Sequence, residues 1–168
     1  ILFDVSQRRS TREFESIADV LERFFDQIDY LQQHRGSVVG VPTGFADLDQ
    51  LTGGLQRSDL IIVAARPSVG KTAFALGIAY GAAVQHGRTV GVFSLEMSAE
   101  QLVQRLLATE TGVDSHRLRL GQIDDHEWDR VSRAFGRLAE APIFIDDTPG
   151  LSVMEVRTKA RRLQAERG

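Results

Sequence analysis

The chain has 168 residues, 42% of them hydrophobic and 26% charged, proportions that suit one ordinary globular domain with an appendage and exclude a disordered or fibrous chain. Its net charge of -3 and its lack of cysteine exclude a global pull toward polyanions, a disulfide framework, a thiolate metal site and a cysteine nucleophile. No run approaches the roughly 18 apolar residues of a membrane span and no signal peptide opens the chain, so a cytoplasmic location is expected.

Ile1 to Phe14, with Arg8, Arg9 and Arg12, reads as a polar linker. A helix follows from Ser16 to Gln33: Ile17, Val20, Leu21, Phe24, Phe25, Ile28 and Leu31 recur at helical spacing, and Ser16 with Asp19 resembles a capping box. The organisation expected is therefore a linker region, residues 1–35, ahead of a larger unit, residues 36–168. Thr43 to Leu51 forms a short predicted helix with Phe45, Leu48 and Leu51 inward, stopped by Gly53 and Gly54.

Leu60 to Ala65 is a continuous apolar run of strand length, the pattern of a strand buried on both faces. Thr72 to His86 is a predicted helix closed by Gly87, and Thr89 to Leu95 a second buried strand. Ser98 with Gln101 opens another helix. Asp124 to Glu140 gives a further one, with Trp128, Val131, Phe135 and Leu138 on one side, and Ile143 to Ile145 a third strand. Ser152 with Glu155 caps the last helix, which carries Arg157, Lys159, Arg161 and Arg162. Strands alternating with helices imply an α/β fold with a mostly parallel sheet flanked by helices, and a ligand at the carboxyl ends of the strands. No repeat or low-complexity tract interrupts that alternation.

The segment Ala65-Arg66-Pro67-Ser68-Val69-Gly70-Lys71-Thr72 fits the phosphate-binding loop G-x-x-x-x-G-K-[ST] except at its first glycine. A backbone wrapped around phosphate must expose consecutive N–H groups, which needs small residues and tight dihedrals, and the helix opening near Lys71 adds its positive end. Lys71 then reaches the β- and γ-phosphates of ATP, and the Thr72 hydroxyl ligates Mg²⁺.

Hydrolysis also needs a group that orients or deprotonates water. Glu96, at the carboxyl end of Thr89 to Leu95, is placed for that role or for an ordinary solvated loop position. Asp146 and Asp147 end the third strand: Asp146 is either an acid associated with Mg²⁺ or part of a turn before Pro149-Gly150. The basic run Arg157, Lys159, Arg161, Arg162 and Arg167, like Arg117 and Arg119, reads as solvated helix surface. His86, His116 and His126 have no metal-ligand spacing with one another, and Trp128 reads as core.

Four segments in order, GVPTGFADLDQLTGGLQRSDLIIVAARPSVGKTAFAL, FSLEM, GQIDDHEW and FIDDTPGLSVMEVRTKARR, closely resemble the replicative DNA helicase of bacteria, the DnaB family of RecA-like ATPases. The resemblance runs from about residue 36 to the end. It implies a RecA-like P-loop NTPase fold and a homohexameric ring that encircles single-stranded DNA and unwinds duplex by 5′-to-3′ translocation. It also implies primase and a helicase loader as partners. Glu96 falls on the family's water-activating glutamate, and the phosphate-loop roles fall on Ser68, Gly70, Lys71 and Thr72. Residues 16–33 look like the linker helix that docks on the neighbouring subunit. Arg57 and Ser58 stand where the family has Pro-Gly. The chain is expected to be a piece of the ATPase domain, incomplete at its C-terminus, with the metal-associated Asp, DNA-binding loops and arginine finger falling later, which favours the turn role for Asp146, and the fragment alone inactive. A RecA-type recombinase or other ring ATPase, and a nucleotide-dependent assembly module, are the competing readings.

Overall fold

A computed structural model of the protein describes residues 14–33 and 38–167, apart from the side chain of Gln27. The linker reading of Ile1 to Phe14 and the 35/36 boundary fall almost wholly outside the described residues. The chain divides into two units, Ile1–Ser37 and Val38–Gly168.

In the first unit, α1 spans Ile17–Gln33. The Ser16 hydroxyl accepts the Ala18 N–H at 3.2 Å, satisfying one of the donors a helix start leaves unpaired. The apolar stripe is present as read and stays largely exposed; Phe25 is 70% accessible.

In the second unit, an entry segment leads to α2, Ala46–Thr52. Its outward and inward faces differ from the expectation. Leu51 is exposed and the buried position is taken by Asp49, because the Asp49 carboxylate accepts the Thr43 N–H (2.9 and 3.2 Å) and the Thr43 hydroxyl (2.8 Å). A buried carboxylate is tolerated when such donors replace water. Phe45 packs on Phe74 with ring centroids 5.1 Å apart, which seats the entry segment on α3, Lys71–Tyr80. The two backbones nearly touch: a Cβ on Gly81 would lie 2.3 Å from the Thr43 carbonyl oxygen. At that same Gly81, α3 widens into one π-helical turn, Gly81–Gln85, the local insertion that a helix uses to absorb an irregular contact.

Two strands form a parallel pair, β1 (Val90–Phe93) with β2 (Ile143–Asp146), Val90 facing Ile143 and Phe93 facing Asp146. Both are half-exposed, so the second and third predicted strands exist at the predicted places but β1 is not buried on both faces. The strand expected at Leu60 to Ala65 is not formed. Its backbone enters no ladder among the described residues, and Leu60 and Ile62 are 86% and 80% accessible. Strand composition without a lateral partner leaves the N–H and C=O groups to solvent, and β1 pairs with β2 instead.

Between the strands lie α4 (Ala99–Thr111), the short α5 (Ser115–Leu120) and α6 (Asp125–Glu140); α7 (Val153–Arg167) follows β2. The core joins Leu76 of α3 to Leu102 and Leu106 of α4, with Val92, Met97, Leu138, Ile143 and Ile145 packed around them. Near-complete burial of Leu76, Leu102 and Leu106 contributes on the order of 1.5–3 kcal/mol each, and the partly buried residues around them less. On α6 the fully buried positions are Glu127 and Ala134; of the expected face Leu138 packs on the core, whereas Trp128 and Phe135 are 60% and 63% accessible. The reading of Trp128 as core is thereby corrected: the helix is rotated so that Glu127 can meet Arg117, whose guanidinium donates to both Glu127 oxygens (3.0 and 2.8 Å) and to Asp124 (3.0 Å).

Arg117 is therefore an anchor and not a merely solvated residue. The Asp124 N–H first, and the Arg117 guanidinium second, hold the Glu127 carboxyl below the usual carboxylate range. Of the basic run on α7, Arg157, Arg161, Arg162 and Arg167 are exposed as read, while Lys159 is half-buried. Lys159 bonds Asp146 at 2.5 Å, Arg162 pairs with Glu166 at 3.2 Å, and the Arg167 guanidinium lies 5.4 Å from the centre of the Phe144 ring.

Candidate functional site

The loop from Ala65 to Gly70 links the extended apolar run to the start of α3. Ser68 and Gly70 both adopt left-handed backbone, φ +66° and +105°, and a non-glycine residue held there is a strained position of the kind that collects at ligand sites. Two left-handed residues two apart turn the chain tightly onto the helix axis. Gly70 is the N-cap of α3 and supplies no side chain to cap it, and no acidic residue occupies the first turn. The opening N–H groups of α3 are thus left for a ligand oxygen, with the helix's partial positive charge behind them.

Lys71 and Thr72 line a cleft of about 890 Å³ together with Ser94, Leu95, Glu96 and Met97. Among the described residues the Lys71 ammonium and the Glu96 carboxylate form no hydrogen bond or ion pair, so both are available to a ligand. Gln56 and Arg57 also border the cleft; neither stood out in the sequence as a site residue. Ser58, next to Arg57, has φ +70°, the conformation for which glycine is the residue without steric cost.

Of the loop residues singled out beforehand, Ala65, Arg66, Pro67, Ser68, Val69 and Gly70 are exposed and do not border this cleft, while Lys71 and Thr72 do. The chemistry of the set fits ATP with Mg²⁺: uncapped amides and an ammonium suit phosphate oxygens, and a threonine hydroxyl at the helix start is a hard oxygen donor of the type Mg²⁺ takes. The carboxylates nearest a metal-ligand spacing elsewhere, Asp124 and Glu127 with His126, are already engaged by Arg117.

Asp146 takes the turn role. One carboxylate oxygen accepts from the Thr148 N–H (3.1 Å) and hydroxyl (2.6 Å), the other from Lys159. Lys159 first, then Thr148, hold the Asp146 carboxyl down at about 2. Because that lies below the ordinary value of about 3.9, the stabilisation is complete above about pH 4 and is lost as pH falls from 4 toward 2. Asp146→Asn is accordingly expected to lower the thermal midpoint at pH 6 to 7 and to differ little from the parent near pH 2; an equal deficit at both pH values, read by circular dichroism melts, counts against the ion pair. Asp147 does something the sequence did not announce: its carboxylate accepts the Ala99 N–H at 2.8 Å, tying the exit of β2 to the start of α4.

An α/β unit with a parallel strand pair, a Gly-Lys-Thr loop opening a helix and a glutamate after β1 has the arrangement of a RecA-like P-loop fold. Residues 40–168 match the family of the DnaB-like helicase C-terminal domain, and the chain belongs to that family. It is 49% identical over 167 residues to the replicative DNA helicase DnaC of Bacillus subtilis and 48% identical over 167 residues to the replicative DNA helicase DnaB of Geobacillus stearothermophilus, covering 99% of this chain and 37% of each relative. Among solved structures, the ATPase domain of G40P superposes with a TM-score of 0.85 at 30% identity, over 93% of this chain and 54% of that one. A DnaB-like replicative helicase described with its primase interactions gives 0.80 at 29% identity, over 99% and 39%. The chain thus spans little more than a third of the length of these curated relatives.

Proposed function

We propose that residues 1–35 are the linker region and residues 36–168 the N-terminal part of the ATPase domain of a ring-shaped replicative DNA helicase. In this reading ATP hydrolysis drives 5′-to-3′ movement on single-stranded DNA and separates the duplex ahead. The observation that carries it is the meeting of Lys71, Thr72 and Glu96 on one cleft beside the uncapped start of α3. The α3 amides and the loop from Ala65 to Gly70 bind the β- and γ-phosphates, Lys71 holds the charge that develops on the transferred group, and Glu96 orients water and accepts its proton. Mg²⁺, held by the Thr72 hydroxyl, supplies neutralisation of phosphate charge.

Self-association through residues 16–33 is supported by the exposed apolar stripe of α1, a contiguous face larger than scattered surface residues produce. Primase as a partner is supported by the described primase interactions of the similar helicase; a loader and the cytoplasm rest on the family alone, alongside the fact that no helix among the described residues is long and apolar enough to cross a membrane. The direct test is strand separation of a forked duplex by the full-length protein carrying this sequence. ATP-dependent unwinding from the 5′ tail is expected, and its absence in an intact, ATP-hydrolysing hexamer would overturn the helicase assignment.

A further inference from the structure

The segment between β1 and α4 contains the glutamate on which hydrolysis depends in the reading above, yet among the described residues that carboxylate has no hydrogen-bond or ion-pair partner to hold it. What fixes it must be the backbone. After Phe93 the Ser94 N–H continues the parallel ladder by donating to the Asp146 carbonyl at 2.9 Å. The Ser94 hydroxyl then donates to the Met97 carbonyl at 2.6 Å and accepts the Met97 N–H at 3.2 Å. A single half-buried hydroxyl thereby closes Leu95 and Glu96 into a two-residue loop whose side chains are exposed to the cleft. Both free backbone groups of Met97 are consumed, so the loop cannot open without leaving a donor and an acceptor unpaired.

The far side is pinned as well. Ser98 and Gln101 form a reciprocal cap on α4, and Asp147 takes the Ala99 N–H at 2.8 Å. Both ends of the stretch from Ser94 to Ala99 are thus referred to β2, one through its carbonyl at Asp146 and the other through the side chain of Asp147. Met97 itself packs against the Leu76–Leu102–Leu106 core. The glutamate rides on a short arch with three fixed points.

We propose that Ser94 is the positioning residue for Glu96: its hydroxyl, by closing the arch onto Met97, sets where the carboxylate stands relative to Lys71 and Thr72. The proposal rests on the reading of Glu96 as the group that activates water. A misplacement of about 1 Å at a reacting group costs on the order of 10²-fold in rate, whereas the phosphate contacts, made from α3 and its loop, are untouched by Ser94.

The test uses the full-length protein and four variants: Ser94→Ala, Ser94→Thr, Glu96→Gln and the double variant S94A/E96Q. Steady-state hydrolysis gives kcat and KM for ATP, and nucleotide binding is followed by fluorescence of a labelled ATP analogue. Expected are a kcat for Ser94→Ala lowered about 10- to 100-fold with nucleotide affinity within about threefold of the parent, recovery to within a few-fold for Ser94→Thr, which keeps the hydroxyl, and no further loss when Ser94→Ala is added to Glu96→Gln. Equal losses of kcat and nucleotide affinity, a threonine variant as slow as the alanine one, or the same drop in the Glu96→Gln background each overturn positioning through Glu96. If Glu96→Gln alone hydrolyses ATP at the parent rate, the glutamate reading has failed and the proposal with it. That result is separable from the case in which Glu96→Gln is slow and Ser94→Ala is normal, which removes Ser94 alone.

Discussion

Replacing Lys71 by alanine is expected to lower ATP hydrolysis by the full-length protein by about 10³-fold or more, the scale seen when a cationic group is withdrawn from phosphoryl oxygens. The argument is one of available charge. Lys71 is exposed at the cleft and makes no ion pair or hydrogen bond among the described residues, so its truncation removes nothing from the core and leaves the Leu76–Leu102–Leu106 cluster intact. The amides of α3 remain and continue to attract phosphate, so weakened binding and a large loss in turnover are expected together, with the melting temperature almost unchanged. Turnover within a few-fold of the parent, in a variant that melts at the parent temperature, would contradict the assignment of this loop to the triphosphate.

The tight turn into α3 was legible because its constraints are local: the left-handed Gly70 and the helix start at Lys71 and Thr72 occupy neighbouring positions, and each is visible in residue type. The same holds for the reciprocal cap of Ser98 and Gln101 and for the helical stripe of α1. What could not be read was lateral and long-range. Leu60 to Ala65 has the composition of a buried strand, but a strand is completed by a neighbour, and none of the described strands pairs with it.

The orientation of α6 was misread for a related reason. Apolar periodicity points to Trp128, Val131, Phe135 and Leu138; Leu138 does pack on the core, but Trp128 and Phe135 stay exposed and Glu127 and Ala134 are the buried positions, because a bidentate Arg117 ten positions earlier makes a buried glutamate acceptable. Periodicity weighs each residue alone and has no means of registering a partner. Asp147 is the clearest instance at the site: a strand-end aspartate looks like turn chemistry, and its bond to Ala99, 48 residues away in the chain, exists only once β2 and α4 have been brought together.

Glu96→Gln should separate binding from chemistry. The amide keeps the size of the side chain and leaves the arch from Ser94 to Met97 unchanged, since the bonds that form it use the Ser94 hydroxyl and the Met97 backbone. Nucleotide affinity is therefore expected to stay within a few-fold, because in the proposed reading the phosphates are held by α3 and Lys71, not by Glu96. Hydrolysis is expected to slow by roughly 10²- to 10⁴-fold, the contribution of a positioned general base, since an amide can orient water but cannot take its proton. Single-turnover hydrolysis measured beside equilibrium binding of a nucleotide analogue makes the comparison. A parallel loss of affinity and rate would place Glu96 in the binding of nucleotide or in the fold of the arch. A loss of rate alone fits a group that acts as the γ-phosphate departs, and the Glu96 carboxylate, which shares this cleft with Lys71 and is exposed with no ion pair or hydrogen bond among the described residues, has the freedom to do so.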